Sequence, residues 1–463
     1  MSDRSARPDP PSLRPPDERG LGDRLTYADA IAALAGRGRF GIHLGLGRTR
    51  ALLRALGDPQ VRVRGALIAG TNGKGSVQAL VAAMLRAAGY RVGQAPKPHL
   101  VEYWERIVVD GAPIAPDAMG RLVARTLAAA DRVARRLGPP TEFEVLTAAA
   151  FAWFAECGVD VAVVEVGLGG RLDATNAWDG GVAAVTNVAL DHADLLGTTI
   201  PQIAREKAAI LKRGDLGVTG ATAEALDVVR RRARRMGVPL TETAPLQVLG
   251  MDRHGLRVAV SGLGALRLGL LGRHQAANAA VALGVVDALE AAGIARVPAR
   301  ARREGLEAAR WPGRLELVAL PAAAPLDLLL DGAHNPAGVR ALLDALEELR
   351  PSLAPGPATL ILAIMRDKDV AGMVGQLASA SLFRGGHLVV TQVTPRGMAA
   401  ADLAAAWQAA RPGSAISLAD GAEEALEMGI RHAAGAGGPL VVAGSLYLVG
   451  AVRGLLVSRG LLQ

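Results

Sequence analysis

Residues 66–76 run Ala66-Leu67-Ile68-Ala69-Gly70-Thr71-Asn72-Gly73-Lys74-Gly75-Ser76. The apolar start has the composition of a buried strand, and the glycines that follow end it. Beyond Ser76, the apolar residues Val77, Leu80, Val81, Met84 and Leu85 recur at helical spacing, and Gly89 supplies a stop. Strand, glycine-rich turn and helix in this order aim successive backbone N–H groups and a helix N-terminus at one point, where phosphate oxygens can bind. Lys74 adds a positive charge for the terminal phosphates, and Ser76 offers a hydroxyl to a magnesium ion. The match to the common G-x-x-x-x-G-K-[ST] pattern is incomplete, because position 68 is Ile and Gly75 separates Lys74 from Ser76. The alternative is an ordinary glycine-rich strand–helix turn. The flanking strand and helix favour phosphate binding by Gly70, Thr71, Asn72, Gly73, Lys74, Gly75 and Ser76.

Downstream, Val161-Ala162-Val163-Val164-Glu165 reads as a buried strand that ends in a carboxylate. Parallel α/β sheets hold ligands at the carboxyl ends of their strands, so Glu165 near a phosphate loop is suited to Mg²⁺. Gly167-Leu168-Gly169-Gly170-Arg171 follows, and Leu172 departs from the dinucleotide-binding G-x-G-x-x-G pattern. The next strand, Val182–Thr186, leads to Asn187 and then Leu190-Asp191-His192. A lone histidine is more often structural than a ligand, but its place at the same sheet edge makes His192 a metal-ligand candidate beside Glu165. Thr199–Ile210 has the spacing of an amphipathic helix. Taken alone, its Lys207 is a solvated lysine, paired with Glu206 or with an acid one turn away.

From about residue 61 to 300, short β-branched runs such as Val61–Ala69 alternate with Ala/Leu-rich helical stretches, which predicts parallel strands with crossover helices. A second series follows at Leu326–Leu330, Thr359–Met365, His387–Thr391 and Leu440–Gly444. Between the two lies Trp311-Pro312-Gly313-Arg314, a turn-forming break and a hinge candidate. Two α/β domains with a cleft between them are expected. Residues 1–20 hold five prolines and balanced charges without periodicity, so a disordered tail is expected over 1–22, with order starting near Leu25.

The 463 residues suffice for roughly two or three domains. Half are apolar and only 3% aromatic, so the cores must be built of Ala, Leu, Val and Gly. The single cysteine, Cys157, excludes an internal disulfide framework and fits a reducing cytoplasm. The formal charge of +8 favours anionic partners. Few aromatics and no dense Lys/Arg run argue against nucleic acid. The start of the chain has no apolar targeting region. The charge-free stretch Ala433–Val452 contains Pro439 and five glycines, which suits buried strands better than a membrane span.

Together these residues resemble the folylpolyglutamate synthase / dihydrofolate synthase family of the Mur ligase superfamily. The resemblance begins at Phe40-Gly41-Ile42, runs through Gly70–Ser76, and continues with Pro98-His99-Leu100, Glu105-Arg106-Ile107, Glu165–Asn176 and Leu190-Asp191-His192. Glu206-Lys207-Ala208, His274–Ala279, Trp311–Arg314, Asp331–Pro336, Asp367-Lys368-Asp369 and Gly444–Leu448 complete it. It implies a P-loop-type, mostly parallel sheet domain over 23–308 that binds ATP, followed by a smaller Rossmann-like α/β glutamate-ligase domain over 309–463. It also implies ATP-dependent ligation of L-glutamate to dihydropteroate or a reduced folate through an acyl phosphate, with ATP and Mg²⁺ at two sites. By resemblance, Glu165 and His192 are metal ligands, and Lys207 matches a lysine that is carbamylated to serve the second metal. Gln275 and Asn278 contact the nucleotide, Arg314 reaches it from the hinge, and Asp331, His334 and Ser445 line the glutamate side of the cleft. A cytoplasmic monomer acting on small molecules, with no nucleic acid or membrane, is expected.

Three departures stand out. Where the family often has a metal-ligating serine before Pro-His-Leu, this chain has Lys97, whose ammonium cannot ligate Mg²⁺ and is a candidate for phosphate or substrate contact. Ala209 stands where the family often has glycine. Gly75 replaces the hydroxyl residue of many cell-wall Mur ligases and suits the folate branch. In the implied reaction the amine of glutamate must lose a proton. His334 is a candidate to accept it, with Asp331 as its partner, although a binding role is favoured. The competing reading is another Mur-type ligase of the cell-wall or cyanophycin kind, but only about 45 ordered residues precede Gly70, too few for the extra sugar-binding domain it would need. A P-loop switch protein would leave Asp331–Pro336 and Ser445 without a role.

Overall fold

A computed structural model describes residues 26–40, 45–321, 326–394 and 396–462. The expected tail, Leu25, Gly41 and Ile42 lie outside them. β1 (Arg64–Ala69) is flanked in parallel by β5 (Val161–Glu165) and β6 (Gly181–Val185). Its residues alternate between two cores: Leu67 and Ala69 face one, Ala66 and Ile68 the other. A strand apolar on both faces is what a parallel sheet covered on both sides requires. β2 (Val92–Ala95) pairs with β5, and β7 (Leu216–Thr219) and β8 (Leu240–Glu242) continue beyond β6, all in parallel. β3 (Val108–Val109) and β4 (Ala112–Pro113) add an antiparallel edge, for an order of β4-β3-β2-β5-β1-β6-β7-β8.

Helices Tyr27–Ala35, Pro116–Leu137, Glu142–Glu156 and Ala223–Met236 cover one face. Helices Lys74–Ala87, Gln275–Ala291 and Ala299–Ala308 cover the other. Against this second set packs an antiparallel sheet of β9 (Gln247–Asp252), β10 (Gly255–Val260) and β11 (Gly264–Leu268). The expected run of parallel strands does not include it. Its cause is local: Leu256, Val258 and Val260 alternate with Arg257 and Ala259, a period of two that buries one face only.

A separate six-stranded sheet follows the Trp311–Arg314 turn. β12 (Glu316–Leu320) pairs antiparallel with β13 (Leu326–Leu330), and β13 runs parallel to β17 (Leu440–Ala443). β14 (Thr359–Leu362), β15 (His387–Thr391) and β16 (Ala415–Ala419) continue in parallel, for an order of β12-β13-β17-β14-β15-β16. The helices Pro336–Leu349, Val370–Ser379 and Ala400–Ala410 pack on one face, and Ala422–Ala436 and Leu446–Ser458 on the other.

Some expected boundaries shift. The strand expected over Val61–Ala69 starts at Arg64, because Pro59–Arg62 forms a 3₁₀ turn. The charge-free stretch Ala433–Val452 holds one strand, β17, between the end of one helix and the start of the next. Among the described residues, no helix is long and apolar enough to cross a membrane. The carboxyl ends of β1, β5 and β6, and that of β13, open onto one cavity of about 890 Å³.

Candidate active site

The phosphate loop is rigidly braced. Asn72 N–H donates to Asn187 Oδ1 at 3.0 Å, and Asn72 carbonyl accepts from Thr186 Oγ1 at 2.7 Å and Asn187 Nδ2 at 3.1 Å. Thr71 N–H donates to the Asn187 carbonyl at 2.9 Å. The exit of β6 therefore fixes the loop. Gly73 has φ +80°, and a Cβ there would stand 2.2 Å from Asn278 Oδ1, so only glycine fits. A Cβ on Gly75 would meet the Trp311 ring at 2.7 Å, which explains why a small residue follows Lys74. Gln275 Nε2 donates to Ser76 Oγ at 3.3 Å, and Asn278 Nδ2 donates to Gln275 Oε1 at 2.8 Å. Asn278 lines the cavity while Gln275, buried behind it, supports both Ser76 and Asn278.

Three lysines surround the mouth of this loop, Lys207 buried and Lys74 and Lys97 partly so. Lys74 Nζ donates to the Gly70 and Thr71 carbonyls, both at 3.1 Å, and lies 3.9 Å from Glu165 Oε1. Burial pulls its pKa down, against the pull of Glu165. Lys97 Nζ donates to the Glu165 carbonyl at 2.9 Å and sits 4.1 Å from the centre of the Phe143 ring. Burial lowers it to about 8. Lys207 is not a solvated lysine: it is 5% exposed, and its Nζ donates to the Gly70 carbonyl at 2.9 Å. Burial, helped by Lys74, lowers it to about 7. Glu206 pairs instead with Arg171 at 2.9 Å.

Glu165 itself is 4% exposed, and its Oε2 is buried without a hydrogen-bond partner. Burial raises its pKa in spite of Lys74 and Lys97. An orphaned carboxylate oxygen beside a phosphate loop fits a hard divalent cation, which binds through few carboxylates together with substrate phosphates. Asp173 is not free for that purpose, because its oxygens accept from the N–H groups of Gly167, Leu168 and Thr175. Among the described residues no three His, Cys, Asp or Glu side chains cluster as a ligand set. His192 lines the same cavity with a left-handed φ of +49°. Its Nε2 lies 3.3 Å from Lys368 Nζ, and burial depresses its pKa.

The second sheet contributes Asp331, His334 and Arg314 to the cavity wall. The expected Asp331–His334 pair does not form. Asp331 Oδ2 accepts from Leu315 N–H and Oδ1 from Ala333 N–H, both at 2.8 Å, while His334 Nδ1 lies 2.8 Å from the Gly332 carbonyl. The turn after β13 brings the Ala333 N–H, and the residue before β12 the Leu315 N–H, to the carboxylate, so each of its oxygens is engaged by the backbone. Burial and then Arg314 lower His334 to about 4, so it stays neutral. Ser445 is 1% exposed, accepts from Tyr447 N–H at 3.2 Å as a helix cap, and is not among the cavity-lining residues. Several polar contacts join the two domains. Asn335 Nδ2 donates to Asn72 Oδ1 at 3.2 Å, and Lys368 Nζ donates to Asp191 Oδ1 at 2.9 Å.

Comparison with known proteins agrees with this arrangement. Residues 121–286 match the Mur ligase middle domain, and residues 313–446 the Mur ligase glutamate ligase domain. A dihydrofolate synthase/folylpolyglutamate synthase of Bacillus subtilis is 37% identical over 363 residues, 76% of this chain and 82% of that protein. The chain belongs to the folylpolyglutamate synthase / dihydrofolate synthase family. A Mycobacterium tuberculosis folylpolyglutamate synthase solved with ADP and AMPPCP superposes with a TM-score of 0.82 at 33% identity, covering 92% of this chain and 99% of that one. Escherichia coli FolC, solved with DHPP and ADP, gives 0.78 at 30% identity over 94% and 99%. Within this family frame, the residues that sequence reasoning left without a role are Asn335, Lys368 and Trp311. Asn335 had a signal, since Asn before Pro336 is a helix-start signature. Trp311, read only as part of a turn, and Lys368, read only within the resemblance, had no signal for the contacts they make, which lie more than 170 residues away in sequence.

Proposed function

We propose that this protein joins L-glutamate to a folate-type carboxylate at the expense of ATP, acting both on dihydropteroate and on reduced folates. The observation that carries this reading is the set of cations Lys74, Lys97 and Lys207, partly or fully buried around the orphaned Glu165 carboxylate, in one cavity with Arg314 and His334. A carboxylate is a poor acyl donor, because its leaving group would be oxide. Transfer of the γ-phosphoryl group to it gives an acyl phosphate with a good leaving group, and fixed cations stabilise the charge at that step. Lys74 and the loop N–H groups hold the triphosphate, and Arg314 reaches it from the second sheet. The acid substrate enters along the wall of Lys97 and Phe143. Mg²⁺ would be held by Glu165, Ser76 and His192, with a carbamate on Lys207 serving a second ion, and would neutralise the transferring phosphoryl group. The glutamate amine then attacks, and phosphate leaves.

His334 is held neutral, with Nδ1 turned to the Gly332 carbonyl. That leaves Nε2 as an acceptor and suits it to orient the amine rather than to store its proton. Two lobes, 23–308 and 309–463, closing about Trp311–Arg314, would shield the acyl phosphate from water. The enzyme works in this reading as a cytoplasmic monomer. Phosphate release from purified protein with ATP and glutamate, comparing dihydropteroate with tetrahydrofolate, tests it. Glutamate-dependent release with either acid is expected, and release with neither would refute the assignment.

A further inference from the structure

Several arginines of this chain are paired with acids, as in Arg230–Glu242, Arg273–Glu348 and Arg300–Glu304. Two that line the cavity are not. Arg106 and Arg396 make no ion pair among the described residues, although each is propped on a tyrosine. Arg106 lies 5.5 Å from the Tyr103 ring centre and donates through Nε to His99 Nδ1 at 2.7 Å. Arg396 lies 5.8 Å from the Tyr447 ring centre and donates to its hydroxyl at 3.0 Å. The two come from opposite sheets and meet at one opening. The segment bearing Arg106 packs on the Leu446–Ser458 helix, where a Cβ on Gly450 would stand 1.8 Å from the Leu100 carbonyl. Tyr447 is within electrostatic reach of both Arg106 and Tyr103. Arg396 is exposed and Tyr447 is 38% exposed, whereas Lys207 is buried at the phosphate loop, and Lys97 stands between the two, within electrostatic reach of Arg106 on one side and of Lys74 and Glu165 on the other.

We propose that Arg106, Arg396 and Tyr447 form an anion subsite at the cavity mouth that holds α-carboxylates of glutamyl residues already present on the acid substrate. This deepens the reading above and rests on it. The geometry sets the order of parts. The reacting carboxylate must reach the lysines at the phosphate loop, so any carboxylates further back along the same molecule lie toward the mouth. Guanidinium is the group that grips a carboxylate through paired N–H donors; Arg106 and Arg396 each spend one donor on a neighbouring side chain, and Glu142, the acid that acts most strongly on Arg106, already accepts from the Tyr103 hydroxyl at 3.1 Å. Dihydropteroate carries no such carboxylate, so the subsite acts only on acids that already hold glutamate.

Arg396→Ala separates these cases, because Arg396 is exposed and its removal leaves the core and those lysines intact. The KM for tetrahydrofolate mono- and triglutamate is expected to rise about 5- to 20-fold, the range of one or two charge-assisted hydrogen bonds. The KM for dihydropteroate should stay within about 2-fold, and Tyr447→Phe should have a smaller effect of the same pattern. For the unchanged enzyme, added salt should weaken the triglutamate more than dihydropteroate. Equal losses on all three acids, or a rise confined to the KM of free glutamate, would overturn the subsite. An unchanged enzyme that turns over none of the acids would instead overturn the ligase reading itself.

Discussion

The carboxyl ends of the two parallel sheets face the same cavity, yet they treat charge in opposite ways. At the rim of the eight-stranded sheet, buried and half-buried groups are left without full partners: Glu165 Oε2 has none, and Lys74, Lys97 and Lys207 rest on backbone carbonyls. At the rim of the six-stranded sheet, buried groups are satisfied from within: Asp331 accepts two N–H groups, Asn335 accepts from Gly338 N–H, and Ser445 caps a helix. Unmet charge in a buried place costs stability and is tolerated where a ligand completes it. The first rim is thus built to receive a highly charged ligand, and the second to hold its own backbone in a fixed shape beside it.

The contrast breaks most clearly at Lys74. Lys74→Ala is expected to lower turnover by about 10³-fold or more, the scale of losing one preorganised charge donor at a reacting phosphoryl group. The same variant should lose the upward shift in melting temperature that ATP gives the unchanged protein. Near-normal turnover with a full ATP shift would show that the first rim does not depend on its unmet charges.

Asp331→Asn addresses the second rim. An amide can accept from Leu315 or from Ala333, but then turns an N–H against the other donor. A loss of about 1–3 kcal/mol in urea stability is expected, from one buried donor left unsatisfied. Undiminished stability would mean that the carboxylate does not hold the turn after β13. An effect of similar size is expected where the rims meet. Gly75→Ala would press a methyl group against the Trp311 ring, and overpacking of this kind costs about 1–3 kcal/mol when the ring cannot move. Trp311→Leu in the same chain should restore most of the loss. If the double variant is no better than Gly75→Ala alone, the ring is not the obstacle.

What the amino-acid order discloses of this site follows the same divide. The phosphate loop is legible because its geometry is a property of local backbone: Gly73 must turn left-handed, and apolar spacing marks the flanking strand and helix. Glu165 is legible as the last residue of an apolar run. Lys207 reads alone as a surface residue, since a nine-residue helix does not reveal that the loop after β1 covers its lysine. The pairing of His334 with Asp331 misleads for the opposite reason: residues three apart look close, but the intervening Ala333 N–H goes to the carboxylate and the His334 ring turns to the Gly332 carbonyl. Lys368 and Asp191 meet only through the joining of two sheets, which no local pattern encodes. The hairpins of β9–β11 sit in a region whose surroundings predict parallel strands, and only the period of two at Leu256–Val260 sets it apart.

The smallest expected effect on turnover lies at the amino end of the eight-stranded sheet, which serves as a reference for both rims. Asp215, just before β7, is 3% exposed and accepts from Lys212 N–H at 2.8 Å. Burial raises its carboxyl to about 7, against that hydrogen bond, and the neighbouring Asp179 carboxylate adds to the rise. The folded state therefore keeps a proton that the unfolded chain releases near pH 4. Between about pH 4 and pH 7 the folded form binds more protons, so stability falls as pH rises and levels off above pH 7. Asp215→Asn removes that proton, and its urea midpoint should decline less between pH 5 and pH 8 than that of the unchanged chain. Turnover at pH 8 should remain within about 2-fold, because no ligand-facing group lies at this end of the sheet. A slope unchanged by the substitution would move the proton to another residue. A large loss of turnover would mean that the charge balance of the first rim extends through the whole sheet instead of ending at the strands' carboxyl ends.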